Sequence, residues 1–147
     1  MSEKRYTHAY CSPDGLMGLA WPSISAITET PPFVNNLKTQ DIILVEAEFG
    51  VKLADTGSEL FLGGANTALT SGDFTDLPVS QEAFWQVAMD SVNVGGSSVV
   101  SGLQAIVDTG TSLIVGTPET VTKFYAAIPE SKDASSTVGE GFFTCEF

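Results

Sequence analysis

Apolar and polar residues alternate over much of the chain, in short runs that glycine and other turn residues interrupt. A period of two is typical of strands, and a short β-branched run between glycines is typical of a covered strand. The pattern therefore predicts a mostly β protein. The predicted strands cover residues 42–49, 49–53, 59–62, 84–94, 106–107 and 113–115, and Phe142 and Phe143 lead into a last strand.

Two segments that begin with proline predict short helices. Proline is tolerated in the first turn of a helix, where its missing N–H would have no intrahelical partner. Pro31 and Pro32 precede the first segment, and we predict a helix over residues 33–40. Thr117 is the predicted cap of the second helix, which runs over residues 118–128.

One acidic residue, Asp108, lies between two of the apolar runs, 106–107 and 113–115. If both runs are buried strands, Asp108 lies in a buried turn at a strand end. A buried carboxylate is costly unless hydrogen-bond donors stabilise it. The residues that offer hydroxyl and backbone N–H donors within one turn are Thr109, Gly110 and Thr111. These residue types are also common in turns, so the triplet alone favours an ordinary turn between two strands.

A second Asp-Thr-Gly triplet begins at Asp55. Its flanks are amphipathic, because Lys52 precedes it and Glu59 follows it. This pattern predicts the turn of a β-hairpin between the strands at 49–53 and 59–62. We therefore do not predict a catalytic role for Asp55.

The string at residues 104–115, Gln-Ala-Ile-Val-Asp-Thr-Gly-Thr-Ser-Leu-Ile-Val, closely resembles the second active-site motif of the pepsin-like aspartic proteases. Four further segments resemble parts of that family, in the family's order: residues 14–25, 32–37, 58–64 and 84–87. The resemblance covers roughly residues 10–145. By these motifs the chain is identified as the middle portion of a pepsin-like protein, truncated at both ends.

The resemblance implies a partial pepsin-like acid protease fold, with antiparallel strands and two short helices. It would comprise the second half of the N-terminal lobe and the first half of the C-terminal lobe. We expect one partial domain over residues 1–147, since a chain of this length can bury about 70% of its unfolded surface. Its expected parts are a leader of unclear origin at 1–10, an N-lobe-type end segment and helix at 11–40, and C-lobe-type strands with the Asp turn at 41–147.

The activity that the resemblance implies is aspartic-type peptide-bond hydrolysis. Two aspartates share one proton and activate a water, and this chain would supply one of them, Asp108. Thr109, Gly110 and Thr111 would support its turn. The residues expected in the substrate cleft are Leu16, Phe84 and Ile106. Core packing explains Leu16 equally well, and for Phe84 a core position is the more frequent outcome. The alternative to an enzyme is an inactive protease fragment or a β domain that binds peptides without cutting them.

Other chemistries find little support in the composition. His8 is the only histidine, so the usual base of a Ser-His-Asp or Cys-His site is missing. His8 and Cys11 together are too few ligands for zinc, and no metal or cofactor is expected. A net charge of −12 with six Lys and Arg disfavours nucleic acid and anionic membranes as partners. The expected partner is a peptide or protein substrate.

The start of the chain is polar and charged, which predicts no signal peptide in the sequence as given. The resembled family is usually extracellular or vacuolar. Cys145 resembles a family cysteine whose disulfide partner lies further downstream, and a bridge to Cys11 is the alternative. No apolar run is long enough to cross a membrane.

The order of two motifs bears on how a second aspartate could be supplied. In the resembled family, an apolar-apolar-Gly element packs beside an Asp turn that precedes it in the same lobe. Here Leu16-Met17-Gly18 comes before Asp108 instead. The element could fold back within one chain, or it could be exchanged in a homodimer with two facing aspartates.

Overall fold

The computed structural model describes residues 14–27, 29–40 and 48–145. Contacts divide the chain into a first unit, Met1–Thr67, and a second unit, Ala68–Phe147. The predicted leader, His8, Cys11 and nearly all of the predicted strand at 42–49 lie outside the described residues. The expected division of the chain into a leader at residues 1–10, an N-lobe-type segment at 11–40 and C-lobe-type strands at 41–147 stays a prediction.

The first unit contains one helix, α1 (Phe33–Thr39), among its described residues. It follows the proline pair as predicted, and the Asn36 N–H donates to the Pro32 carbonyl at 2.9 Å. The helix ends where the Gln40 N–H donates to the Asn36 carbonyl at 3.1 Å. The predicted helix at 33–40 is confirmed to within one residue. A one-turn 3-10 helix, Pro22–Ile24, precedes it.

The same unit contains the predicted hairpin. Strands β1 (Phe49–Lys52) and β2 (Glu59–Leu62) are antiparallel, with Lys52 opposite Glu59. In the loop between them, the Ser58 hydroxyl donates to the Ala54 carbonyl at 2.8 Å and accepts the Ala54 N–H at 3.0 Å. These two bonds close the loop that contains the first Asp-Thr-Gly triplet.

The second unit is built on a three-stranded antiparallel sheet in the order β3-β4-β5. Its strands are β3 (Val79–Glu82), β4 (Trp85–Val94) and β5 (Ser97–Ile106). Gly95 and Gly96 join β4 to β5 with φ values of 56° and 83°. Two successive residues with positive φ match the right-handed twist of a tight hairpin, and glycine adopts them without strain. The predicted strand at 84–94 is therefore confirmed.

Helix α2 (Pro118–Ala126) follows the sheet and lies against β5. Its cap is the predicted one, since the Thr117 side chain accepts the Thr120 N–H at 3.3 Å. Tyr125 of the helix stacks on Phe143, with ring centroids 4.6 Å apart. Phe143 belongs to a short ladder of β6 (Lys132–Asp133) and β7 (Phe143–Thr144). The one-turn 3-10 helix Thr67–Leu69 completes the elements of the described chain.

The buried core is smaller than the length of the chain suggested. Among the described residues only Ala83 and Ala134 are buried. The prediction that residues 106–107 and 113–115 are both buried strands is wrong in two respects. Ile106 ends β5 but is 51% exposed, and residues 113–115 form no strand, with exposures of 72%, 105% and 79%.

The reason for this exposure is the lack of a neighbouring strand. Within the described part of the chain, β5 pairs only with β4, and residues 113–115 pair with no strand. A strand is stable only when its backbone N–H and C=O groups find partners and one face is covered. Without such a neighbour, the second apolar run remains an extended, exposed segment.

Two further predictions concern membrane spans and disulfide bonds. None of the helices found among the described residues has the length and the apolar composition that a membrane span requires. Cys145 is half-buried and forms no disulfide bond with another described residue. Because Cys11 lies outside the described residues, its pairing with Cys145 stays untested.

The cap of α2 can be tested with Thr117→Ala, which removes the oxygen that accepts the Thr120 N–H. We expect the free energy of unfolding to fall by about 0.5–2 kcal/mol. Urea unfolding followed by circular dichroism measures the change. Thr56→Ala, in the exposed hairpin loop, is the matched control and should change stability by less than about 0.5 kcal/mol. Equal losses in the two variants would contradict a specific capping role.

Candidate active site

The β4–β5 ladder determines where Asp108 lies. Ile106, the last residue of β5, is the cross-strand partner of Gln86. One further ladder bond extends the pairing, because the Val107 N–H donates to the Trp85 carbonyl at 2.9 Å. Asp108 is therefore the first residue of the chain beyond the hydrogen-bonded end of the sheet.

A tight turn follows directly. The Thr111 N–H donates to the Asp108 carbonyl at 3.3 Å, which closes a four-residue turn. Within the turn, the Gly110 N–H donates to Asp108 Oδ1 at 2.9 Å, and the Thr111 hydroxyl donates to Oδ2 at 2.6 Å. A Cβ atom at Gly110 would lie 3.3 Å from Oδ1, so glycine lets the backbone approach the carboxylate closely. Each carboxylate oxygen thus has its own donor.

These donors change the acidity of the carboxyl group. The Thr111 hydroxyl, and then the Gly110 N–H, lower the pKa of Asp108 below the ordinary value for aspartate, and slight desolvation opposes them. Hydrogen bonds to the charged form favour that form. Asp108 therefore stays ionised to a lower pH than an ordinary surface aspartate.

The prediction that Asp108 lies in a buried turn is wrong, because the turn is exposed. Its flanks are exposed too: Val107 is 61% exposed and Leu113 is 72% exposed. The cause is again the missing neighbour, since no described strand covers this end of β5. Local donors, rather than burial, create the environment of the carboxylate.

The other residues that the sequence singled out are placed as follows. Thr109 lies exposed inside the turn, and the described residues include no hydrogen bond from it to the carboxylate. Ile106 ends β5 two residues before Asp108, and Phe84, 42% exposed, directly precedes β4. Leu16 belongs to the first unit and is 98% exposed.

The second triplet has different surroundings. Asp55 lies in the exposed loop of the β1–β2 hairpin, as its amphipathic flanks predicted. Within the described residues its carboxylate accepts no hydrogen bond. Nowhere among the described residues do three or more His, Cys, Asp or Glu side chains form a group that could hold a metal ion.

One set of side chains in the sheet that leads to Asp108 was not predicted from the sequence. Ser80, Gln86 and Gln104 come from β3, β4 and β5 and bond to one another across the sheet. In the sequence, Gln104 is the first residue of the string that resembles the active-site motif, and no role was predicted for its side chain. The register of β3 brings these residues together, and no sequence pattern indicates that register.

The chain resembles known proteases over most of its length. The family model for eukaryotic aspartyl protease matches residues 1–147. An aspartic protease of Phaffia rhodozyma is 36% identical over 135 residues, which is 89% of this chain and 33% of that protein. Pepsin A of Sus scrofa is 38% identical over 141 residues, 92% of this chain and 35% of that protein. Cathepsin E of Oryctolagus cuniculus is 38% identical over 140 residues, 90% of this chain and 34% of that protein.

The chain therefore spans about a third of the length of these relatives. Its antiparallel sheets and two short helices agree with the partial pepsin-like fold that the motifs predicted. The family match covers every residue of the sequence. The chain belongs to the eukaryotic aspartyl protease family.

Proposed function

We propose that this chain is part of an aspartic-type endopeptidase and that Asp108 is one of its two catalytic aspartates. The observation that carries the proposal is the pair of donors on the carboxylate, one from Thr111 and one from Gly110. In a chain of this family, these donors occupy the turn whose sequence resembles an active-site motif. The substrates would be peptides or proteins.

The geometry suits the role of a base. A general base that activates water must be ionised at the working pH. The lowered pKa of Asp108 means that its negative charge is lost only as the pH falls through that lowered value. Asp108 can therefore accept a proton from water in acid solution, while a second, protonated carboxyl group polarises the peptide carbonyl.

The second carboxyl group requires a separate source. Asp55 has the same triplet but lies in a hairpin loop of the first unit and accepts no hydrogen bond from the described residues. We therefore assign the second aspartate either to another segment of a longer protein or to a second copy of this chain. The length of the relatives favours the first source.

A second candidate function follows if no second catalytic aspartate is supplied. With one aspartate in a turn that resembles an active-site motif, this chain by itself would bind peptides without cutting them or would be an inactive fragment. Nucleic acid and anionic membranes are not proposed as partners, because a net charge of −12 repels them. An extracellular or vacuolar location, usual for the resembled family, would suit a carboxylate that remains ionised in acid.

The assignment of the two acids can be tested with asparagine variants. Asp108→Asn should reduce pepstatin-sensitive peptide cleavage at acid pH by about 10²–10⁴-fold, because an amide neither shares the proton nor acts as a base. Asp55→Asn is the matched control and should retain activity to within about two-fold. The opposite order would contradict the assignment, and a wild-type chain without any cleavage would favour the second candidate function.

The donors can be tested with Thr111→Val, which removes the hydroxyl while it conserves the shape of the side chain. The pKa of Asp108 should rise toward the ordinary aspartate value, since the largest cause of its lowering is lost. Carbon-13 NMR titration of the carboxyl group measures this directly. In an active preparation, the acid limb of the pH–rate profile should move to higher pH. Thr109→Val is the matched control, and an equal shift in that variant would contradict the specific role of Thr111.

The source of the second aspartate can be tested by mixing. In an exchanging homodimer, each active site needs two wild-type chains. An equal mixture of wild type and Asp108→Asn should then retain about one quarter of the activity of the same total concentration of wild type. If each active site needs only one copy of this chain, about one half remains. Sedimentation equilibrium should find a dimer in the first case and no concentration dependence in the second.

A further inference from the structure

Strand β3 contains an extra residue at Ser80. Val79 is opposite Val87, whereas Gln81 is opposite Gln86, so β3 advances two residues while β4 advances one. Ser80 is thus the unpaired residue of a β-bulge. Bulges change the direction of a side chain and are frequent next to active sites.

The bulge brings Ser80 into contact with both neighbouring strands. Its hydroxyl donates to Gln104 Oε1 of β5 at 2.7 Å and accepts from Gln86 Nε2 of β4 at 3.1 Å. Gln86 Nε2 also lies 3.4 Å from Gln104 Oε1, and Ser80 Oγ lies 3.2 Å from the Gln86 carbonyl. We call these three side chains the Ser80 cluster. It joins all three strands of the sheet.

The Ser80 cluster lies at the end of the ladder that leads to Asp108. Gln86 is the cross-strand partner of Ile106, the last residue of β5. Gln104 is two residues before Ile106, so its side chain is on the same face of the sheet. Beyond Ile106, the ladder continues with the bond from the Val107 N–H to the Trp85 carbonyl.

We propose that the Ser80 cluster positions Asp108 by fixing the end of β5 against β4 and β3. Ser80, Gln86 and Gln104 are positioning residues, since they contact one another and act on the carboxylate only through the strand. The end of a strand pair with a free outer edge is prone to opening, and the side-chain bonds resist that opening. The catalytic importance of the cluster depends on the proposed function, but its effect on the turn does not.

The chemistry of the cluster suits acid conditions. None of its three side chains titrates, so the cluster is unchanged at low pH. Carboxylates, by contrast, lose their charge as the pH falls through their pKa values. Neutral hydrogen bonds of this kind contribute about 0.5–1.5 kcal/mol each, which corresponds to roughly a two- to twelve-fold change in a local opening equilibrium.

The test is amide hydrogen exchange in the full chain, with Ser80→Ala and Gln104→Met as the two variants. Ser80→Ala removes the central hydroxyl, and Gln104→Met removes the acceptor while it conserves the length of the side chain. We expect exchange of the Val107 N–H to become about five-fold faster in both variants. Exchange at Val94 and Ser97, at the turn end of the same hairpin, should change less than about two-fold.

Two further variants separate positioning from general stability. Ser80→Thr keeps the hydroxyl and should restore slow exchange at Val107. Ser91→Ala is the matched control, because Ser91 Oγ donates to Asn93 Oδ1 at 3.0 Å on β4, farther from the Asp108 end. It should leave exchange at Val107 unchanged.

The outcomes differ from those that test the proposed function. Faster exchange at Val107, accompanied by a pKa of Asp108 closer to the ordinary value, supports the positioning role whether or not the chain cleaves peptides. An equal change along the whole hairpin, or no change at Val107, overturns it. In an active preparation, Ser80→Ala should lower kcat about five-fold and change KM less than two-fold. If Asp108→Asn retains activity, the proposed function fails while the exchange result still decides the inference.

Discussion

The pairing of β4 with β5 is the interaction on which the rest of the second unit depends. The ladder fixes Ile106 opposite Gln86 and ends with the bond from Val107 to Trp85. The β3 strand joins the outer edge of β4, and α2 lies against β5. Asp108 therefore occupies a defined place because the last hydrogen bond of this ladder immediately precedes it.

Local signals in the sequence were enough to predict the helices and the β1–β2 hairpin. Prolines mark the start of α1 and α2, and the amphipathic flanks of the first Asp-Thr-Gly triplet mark the hairpin turn. Burial could not be predicted in this way. An apolar run such as residues 113–115 indicates which side chains favour a covered position, but the pattern does not say which element covers them. Here no described strand lies beside the run, so the side chains remain exposed.

In the candidate site too, local features could be predicted from the sequence, and features that depend on contacts between strands could not. Gly110 and Thr111 could be predicted as donors because both lie within three residues of Asp108. The Ser80 cluster could not, because its three members come from three strands and meet only through the bulge in β3. A shift of one residue in that strand would point Ser80 toward the opposite face of the sheet. Such a register is determined by pairing across the sheet and not by residue type.

The two Asp-Thr-Gly triplets show why the motif alone does not define a site. In each, a hydroxyl residue follows the aspartate by three positions, Ser58 in one and Thr111 in the other. Gly57 adopts a positive φ of 71°, and the chain closes so that Ser58 bonds the backbone of Ala54. Gly110 is outside the left-handed region, and there the hydroxyl reaches the carboxylate at 2.6 Å. The same triplet thus occurs in a loop closed by backbone bonds in one place and beside a hydrogen-bonded carboxylate in the other, because the two turns have different backbone conformations.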